Sequence, residues 1–146
     1  MFSTKKFFSE EQSRAIVNAI TKAELNTSGE IRLHIEPHCK AADVLERATA
    51  VFFQLKMDKT ANRNGVLIYL AHEDHKFAIL GDEGINRVVP ANFWDGTKEV
   101  MKLYFQNGEF FEGIAFAIEQ CGEHLKQYFP YQSNDKNELS NEISEG

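Results

Sequence analysis

The sequence has only two cysteines in 146 residues and no stretch long and apolar enough to cross a membrane. Cys39 and Cys121 lie far apart and neither belongs to a C-x-x-C motif, which favours free thiols in a reducing compartment. The longest unbroken apolar run covers residues 66–71, whereas a transmembrane helix needs about 20 apolar residues. Residues 1–8 carry two lysines but no apolar segment typical of a signal peptide. We therefore predict a cytoplasmic protein without a membrane segment.

The sequence also lacks an excess of positive charge and lacks the common catalytic motifs. The formal net charge is -6 at pH 7, which argues against a nucleic-acid partner and favours a cation or a basic partner. No G-x-S-x-G motif, Walker loop or H-E-x-x-H motif occurs, and neither cysteine has the setting of a nucleophile. Catalytic residues therefore stay unassigned, and the sequence leaves open whether the chain is an enzyme.

What the sequence does contain is the pattern of a single α/β domain. Apolar residues make up 42% of the chain, enough for one sizeable core. The predicted elements are a helix from Ser9 to about Leu25, a half-buried strand over 30–36, an amphipathic helix over 43–57, a buried strand over 66–71, a strand over 76–80, a helix from Pro90 to Asn107 and a helix that ends before Pro130. This order, α-β-α-β-β-α-α, predicts a small mixed sheet of three or four strands with helices on its faces.

The last residues differ in composition from the rest of the chain. Residues 131–146 are polar and acidic, and they offer almost no core residues beyond Leu139 and Ile143. We therefore predict one domain over residues 1–130, followed by a mostly flexible tail that adds little stability.

Strand direction brings several acidic residues to one end of the predicted sheet. Glu30 begins the first strand, residues 58–64 precede the second, and Asp82 and Glu83 follow the third. Because the third strand runs in the opposite direction to the first two, all of these positions meet at the same end. Carboxylate and amide oxygens are the ligands that hard cations such as Ca²⁺ and Mg²⁺ prefer. The topology thus predicts a candidate cation site there.

The loop before the second strand, D-K-T-A-N-R-N-G, supports this prediction only weakly. It presents side-chain oxygens at alternate positions: Asp58, Thr60, Asn62 and Asn64. It is not an EF-hand loop, because Arg63 stands where that motif requires glycine. A plain solvated loop remains the alternative, just as "GDEG" at residues 81–84 can be an ordinary acidic turn.

A rival group of polar residues is predicted at the opposite end of the sheet. Ligands of open α/β sheets often bind outside the carboxyl ends of parallel strands, which favours this end. Its members are His38, His72, Glu73, Asp74, His75 and Glu109. His72 and His75 flank a turn and could bind zinc, although a solvated hairpin turn explains the same residues.

Four short motifs in this sequence resemble those of a known family. They are "TSGEIRLHI", "RNGVLIYLA", "KFAILGDEGI" and "FQNGEFFEGI", in that order. The chain resembles the TPM-domain family, which includes the thylakoid lumen acid-phosphatase-like proteins, over about Ser9 to Pro130. It is most similar to the short bacterial members that lack a signal peptide and a membrane anchor.

The resemblance implies a three-layer α/β/α domain that binds a divalent cation, often calcium, through acidic loops. By motif position it implies Glu30 and Asp82 as ligands, with Asp58 and Asn64 beside the N-G element. One function compatible with the family is a Ca²⁺- or Mg²⁺-binding accessory or interaction protein with an unidentified protein partner. The alternative is a weak metal-assisted acid phosphatase acting on phosphomonoesters, in which Arg63 would neutralise the phosphate.

Overall fold

The computed structural model describes residues 7–132 and 137–146. Two segments lie outside the described residues: residues 1–6, for which no signal peptide is predicted, and residues 133–136 of the predicted tail. The helices of the described part are α1 (Glu10–Glu24), α2 (Val44–Gln54), α3 (Glu83–Asn86), α4 (Asp95–Gln106) and α5 (Phe110–Leu125). Its strands are β1 (Glu30–Glu36), β2 (Gly65–Ala71), β3 (Lys76–Gly81) and β4 (Ser144–Glu145).

The strands form one mixed sheet in the order β3-β2-β1-β4. β1 pairs in parallel with β2, while β3 is antiparallel to β2, as the strand–helix–strand and hairpin patterns predict. One face of the sheet packs against α2, and the other packs against α1, α4 and α5. The predicted three-layer α/β/α domain is therefore confirmed.

Local sequence signals account for several element boundaries. The Ser9–Gln12 capping box forms at the start of α1, with backbone-to-side-chain hydrogen bonds of 3.0 and 3.1 Å. Asp43 caps α2 through the N–H of Leu45. The predicted helix start at Pro90 is wrong, because α4 begins only at Asp95 and the short α3 follows directly after β3.

The prediction that β1 is half-buried is corrected by the structure, which buries both faces of this strand. The polar residues of the strand are covered too: Glu30 is 4% exposed, His34 5% and Glu36 1%. Strict alternation of apolar and polar residues distinguishes the two faces but does not show whether the polar face meets water. Here that face lies beneath α2 and the last residues of the chain.

Residues 137–146, which belong to the predicted tail, lie against the domain. The N–H groups of Glu138 and Leu139 donate to Oε1 of Glu30 at 2.6 and 2.7 Å. Leu139 is 8% exposed and belongs to the core beside α2. β4 adds a short parallel strand to the outer edge of β1. These contacts give residues 137–146 a docked position, while the flexibility of the tail and the domain boundary at residue 130 stay predictions.

None of the helices in the described ranges is long and apolar enough to cross a membrane. Both cysteines are free thiols, and Cys121 is buried in the core.

Candidate functional site

The acidic residues of the predicted site do lie at one end of the sheet. Glu30 stands opposite Gly65 at the start of two parallel strands. The N–H of Glu30 donates to the carbonyl of Asn64 at 3.1 Å, and the N–H of Asp82 donates to the carbonyl of Gly65 at 2.9 Å. Glu30 and Asp82 therefore flank the start of β2 from its two sides, as the strand directions predict.

Asp82 is held by Arg63 in a two-pronged ion pair. Nε of Arg63 donates to Oδ2 of Asp82 at 2.8 Å, and Nη2 donates to Oδ1 at 2.9 Å. Asp82 also caps α3, since its Oδ1 accepts the N–H of Glu83 at 2.7 Å. The Asp82 side chain is 4% exposed, whereas that of Arg63 is 35% exposed. The carboxylate is thus shielded from water by its own partner.

Two further carboxylates of the predicted site, Glu83 and Asp58, attract the same guanidinium. Oε1 of Glu83 lies 3.5 Å from Nη1 of Arg63. The hydrogen bonds to Asp82, with added attraction from Glu83 and Asp58, raise the pKa of Arg63. One cationic centre therefore stands among three of the predicted ligands, and we call Arg63, Asp58, Asp82 and Glu83 the Arg63 cluster.

The glycine after Asp82 and Glu83 has a steric reason to be there. A Cβ at Gly84 would lie 2.3 Å from the carbonyl oxygen of Asn62 and 2.5 Å from that of Arg63. The N–H of Gly84 also donates to the Arg63 carbonyl at 3.0 Å. Only a residue without a side chain lets α3 approach this loop so closely, and the approach sets Arg63 against the two carboxylates.

Glu30 does not join the Arg63 cluster. Its Oε1 is occupied by the N–H groups of residues 138 and 139. On the same face, the space above Gly65 is filled by Leu139 and Met57, whose side chains would lie within 3.5 Å of a Cβ built there. Apolar side chains thus separate the Glu30 carboxylate from Asp82.

Asn64 is also outside the Arg63 cluster. Its Nδ2 donates to the Ser28 carbonyl at 2.7 Å, and its N–H donates to Thr60 Oγ1 at 3.3 Å. Its Oδ1 is buried and has no hydrogen-bond partner among the described residues. Because Asn64 precedes Gly65, alternation directs its side chain to the opposite face of the sheet from Glu30.

The chemistry of the Arg63 cluster suits a hard cation, because its acidic ligands are all oxygens. As the described residues stand, no three side chains of His, Cys, Asp or Glu are arranged to hold a metal ion together. In the Arg63 cluster the guanidinium itself occupies the position between the carboxylates. The donor set therefore fits Ca²⁺ or Mg²⁺ only if Arg63 moves.

A second acidic pair lines a groove of about 190 Å³ between the start of β1 and the last residues of the chain. Burial raises the pKa of Glu24 from 4.5 to about 7. The hydrogen bond that Glu24 accepts from the Ile31 N–H acts to lower this pKa, and repulsion from Glu30 acts to raise it. Burial likewise raises the pKa of Glu30 to about 7, opposed by the N–H groups of Leu139 and Glu138. Both carboxylates therefore resist ionisation near neutral pH.

The raised pKa values of Glu24 and Glu30 predict that the free energy of unfolding falls as pH rises from about 4.5 to about 7. A carboxyl whose pKa is raised on folding stabilises the fold fully below its unfolded value of 4.5 and loses that contribution as pH rises through about 7. With allowance for the partial exposure of Glu24, its pH-dependent contribution to the free energy of unfolding is about 2 kcal/mol. Glu24→Gln should remove that contribution and be more stable than wild type at pH 8, but not at pH 4.5.

Urea unfolding at several pH values measures this effect. The exposed Glu119→Gln variant is the matched control and should keep the wild-type pH dependence. Parallel pH profiles for wild type and Glu24→Gln would contradict the assignment.

A buried polar network that the sequence does not reveal lies on the α2 face. Glu36 accepts two hydrogen bonds from Arg47, at 2.8 and 2.9 Å, and one from the Tyr69 hydroxyl. Nε2 of His34 lies 3.1 Å from Glu36, and Nδ1 lies 2.8 Å from Ser144 Oγ. An ionised carboxylate only accepts, so Nε2 carries the proton and neutral Nδ1 accepts from the serine hydroxyl. The network ties β4 to β1 through side chains.

The rival group at the opposite end is dispersed. Nδ1 of His38 pairs with Asp74 at 3.0 Å, both near solvent. His72 instead stacks on Phe7, with ring centroids 3.8 Å apart, and His75 packs edge-on against Phe110. Within the described residues this end forms no group able to hold a metal ion.

Comparisons with known proteins agree with this architecture. Residues 1–124 match the model of the TPM domain family. The solution structure of the BA42 protein from the psychrophilic bacterium Bizionia argentinensis is 49% identical, covers 100% of both chains and superposes with a TM-score of 0.91. The N-terminal domain of cg2496 from Corynebacterium glutamicum is 12% identical, with a TM-score of 0.66 over 92% of this chain and 84% of that one, and shows the fold alone. No curated protein matches. The chain belongs to the TPM domain family.

Proposed function

We propose that this TPM domain binds a divalent cation, Ca²⁺ or Mg²⁺, through Asp82, Glu83 and Asp58, and serves as an accessory or interaction protein for a protein partner. The observation that carries the proposal is the position of the Arg63 guanidinium, which pairs with Asp82, lies 3.5 Å from Glu83 and is also attracted by Asp58. The negative potential of three carboxylates favours the single positive charge of a guanidinium, and it also favours the two positive charges of a divalent cation.

The charge balance of the Arg63 cluster supports a dication. The three carboxylates carry three negative charges, and the Arg63 cluster holds one positive charge, that of Arg63. Lys59 and Arg87 also approach Asp58 and Glu83, at 3.5 and 3.3 Å, but their side chains are 74% and 70% exposed. Such exposed pairs are screened by water and contribute little.

The phosphatase alternative stays the second candidate. A phosphomonoester needs a free cationic group for its phosphate, and Arg63 would have to leave Asp82, with which it forms two hydrogen bonds, before it could bind one. Glu30 and Asn64 lie outside the Arg63 cluster, and their role as oxygen ligands stays a prediction. The cytoplasmic location stays a prediction.

Thermal unfolding with excess Ca²⁺ or Mg²⁺, and with a chelator, tests the proposal. Binding to the native state alone adds about 2.7 kcal/mol at a hundredfold excess over Kd, which corresponds to a rise in Tm of about 5–10 °C. Glu83→Gln and Asp82→Asn should both weaken the rise. Because Asp82 also pairs with Arg63, Asp82→Asn should start from a lower Tm without metal, whereas the 60% exposed Glu83 should not.

The control is Asp95→Asn, a side chain 65% exposed at the start of α4. It should respond to the metal like wild type. An equal shift in wild type and all three variants, or no shift in any, would contradict a site at the Arg63 cluster. A residue-by-residue NMR titration then shows whether Glu30 and Asn64 respond with it.

A further inference from the structure

The outer edge of β1 is covered by the chain's own last residues, which pair with it over a short stretch. β1 pairs with β2 along its whole length. Among the described residues, its ladder with β4 involves only His34 and Ile35, opposite residues 144 and 145. The N–H of Gly146 adds one bond to the carbonyl of Ile35, at 2.9 Å. A sheet edge with so little ladder pairing is a template for another extended chain.

The start of the same edge holds peptide backbone. The buried carboxylate of Glu30 accepts the N–H groups of Glu138 and Leu139 at 2.6 and 2.7 Å. Every residue except proline carries such an N–H, so these two bonds select an extended backbone and leave the side chains free to vary. The Leu139 side chain then packs against Met57 above Gly65. Sheet edges bind peptide strands in this way, through backbone bonds combined with sites for particular side chains.

The chain's own segment has an unfavourable charge at its first docked residue. Glu138 lies beside Glu30, and the two carboxylates repel each other. Glu24, which lines the same groove of about 190 Å³, repels Glu30 as well. The Glu138 side chain also makes a favourable contact, since it accepts the N–H of Ala61 at 3.1 Å. A glutamine at that position keeps an oxygen for Ala61 without adding a negative charge.

From these observations we propose that the outer edge of β1 is a docking site for an extended segment of a protein partner, which displaces residues 137–146. The partner segment has no acidic side chain at the position of Glu138, and it has an apolar side chain at the position of Leu139. The chain's own segment keeps the edge paired until such a strand binds. This docking site rests on the interaction role proposed above, but it does not depend on the cation site.

Competition between the two segments predicts how substitutions act. Because residues 137–146 are tethered to the domain, they compete at a high effective concentration. Leu139→Ala weakens this competitor and leaves the edge itself unchanged, so it should increase the affinity for an added strand. Ser144→Ala, which removes the hydrogen bond to Nδ1 of His34, is a milder variant for the same purpose.

NMR titration of the 15N-labelled full-length chain at pH 8 tests the proposal, with an unlabelled peptide as the probe. The probe has the sequence of residues 137–146 with Glu138→Gln. A peptide that also carries Leu139→Ala is its control and should not bind. The probe should shift the amide signals of β1, and it should move the signals of residues 137–146 towards those of a released chain. It should bind about threefold more tightly than the peptide with the unaltered sequence.

The same titration compares variants of the full-length chain. The Leu139→Ala chain should bind the probe at least about tenfold more tightly than wild type, and the Ser144→Ala chain should lie in between. Leu103→Ala is the matched control, because Leu103 is 61% exposed on α4. Its affinity for the probe should equal that of wild type.

The outcomes separate this docking site from the cation site. If no peptide binds wild type or either variant of residues 139 and 144, the docking site is overturned, while cation binding is decided by the metal response of Tm. Binding of the probe that leaves the signals of residues 137–146 in place also overturns it, because the peptide then occupies another surface. Equal binding of the unaltered peptide overturns the proposed partner chemistry, and the same segment of a second copy then fits the edge instead.

Discussion

Replacing Glu36 by glutamine should lower the free energy of unfolding by about 3–5 kcal/mol, the usual cost of removing one partner from a buried ion pair. The Glu36 side chain is fully buried, and that of Arg47 is only 15% exposed. Arg47, Tyr69 and His34 all direct hydrogen bonds at this carboxylate. Without its charge, the arginine keeps its own charge in a poorly solvated place.

The pH dependence of this loss has a definite sign. Burial acts to raise the pKa of Glu36, but the hydrogen bonds from Arg47, Tyr69 and His34 outweigh it and lower the pKa to about 2. A carboxylate with a lowered pKa stabilises the fold above its unfolded value of 4.5 and loses that contribution as pH falls through about 2. The difference between wild type and Glu36→Gln should therefore be full at pH 7 and shrink below about pH 4.5.

Chemical denaturation of both proteins at pH 7 and pH 3 measures these differences. Glu99→Gln, an exposed substitution within α4, should change stability by less than about 0.5 kcal/mol at either pH. A loss below about 1 kcal/mol for Glu36→Gln at pH 7 would mean that water reaches this network and solvates Arg47.

The buried network around Glu36 could not be predicted from the sequence alone. Alternation over β1 gives its two faces correctly, with Ile31, Leu33 and Ile35 on the α1 and α5 side. It cannot tell a solvated polar face from a polar face covered by another element. Glu36 and Arg47 are 11 residues apart and Tyr69 is further still, so their pairing depends on the tertiary fold. Polar residues within a strand next to a helix that carries one arginine are a weak signal for such a pairing.

The candidate site was predictable to the extent that strand direction determines it. Direction alone brings Glu30, Asp82 and residues 58–64 to one end of the sheet. The finer arrangement depends on a positive φ at Arg63 and on the close approach at Gly84, which the pattern of residue types does not encode. For the same reason, the sequence suggested Arg63 as a partner for phosphate, whereas in the structure it binds Asp82.

Leu139→Ala should lower the free energy of unfolding by about 3 kcal/mol, within the range for a buried leucine. Leu139 is 8% exposed and packs with Met57 in the core beside α2, directly above Gly65. Composition predicted little stability from this segment because one leucine among polar residues is a weak signal. A single apolar side chain can nevertheless hold a segment when its backbone is also bonded, and here Glu30 accepts the N–H groups of both Glu138 and Leu139.

Urea unfolding of Leu139→Ala measures this, with Leu25→Ala as the matched control because Leu25 is 62% exposed and should cost less than about 0.5 kcal/mol. If Leu139 holds the segment, its loss should also expose Glu30 to water, lower the pKa of that carboxyl towards 4.5 and flatten the fall in stability between pH 5 and pH 8. Equal stability of Leu139→Ala and Leu25→Ala would show that residues 137–146 do not support the domain. A stability loss with an unchanged pH profile would instead show that Leu139 fills the core but does not shield Glu30.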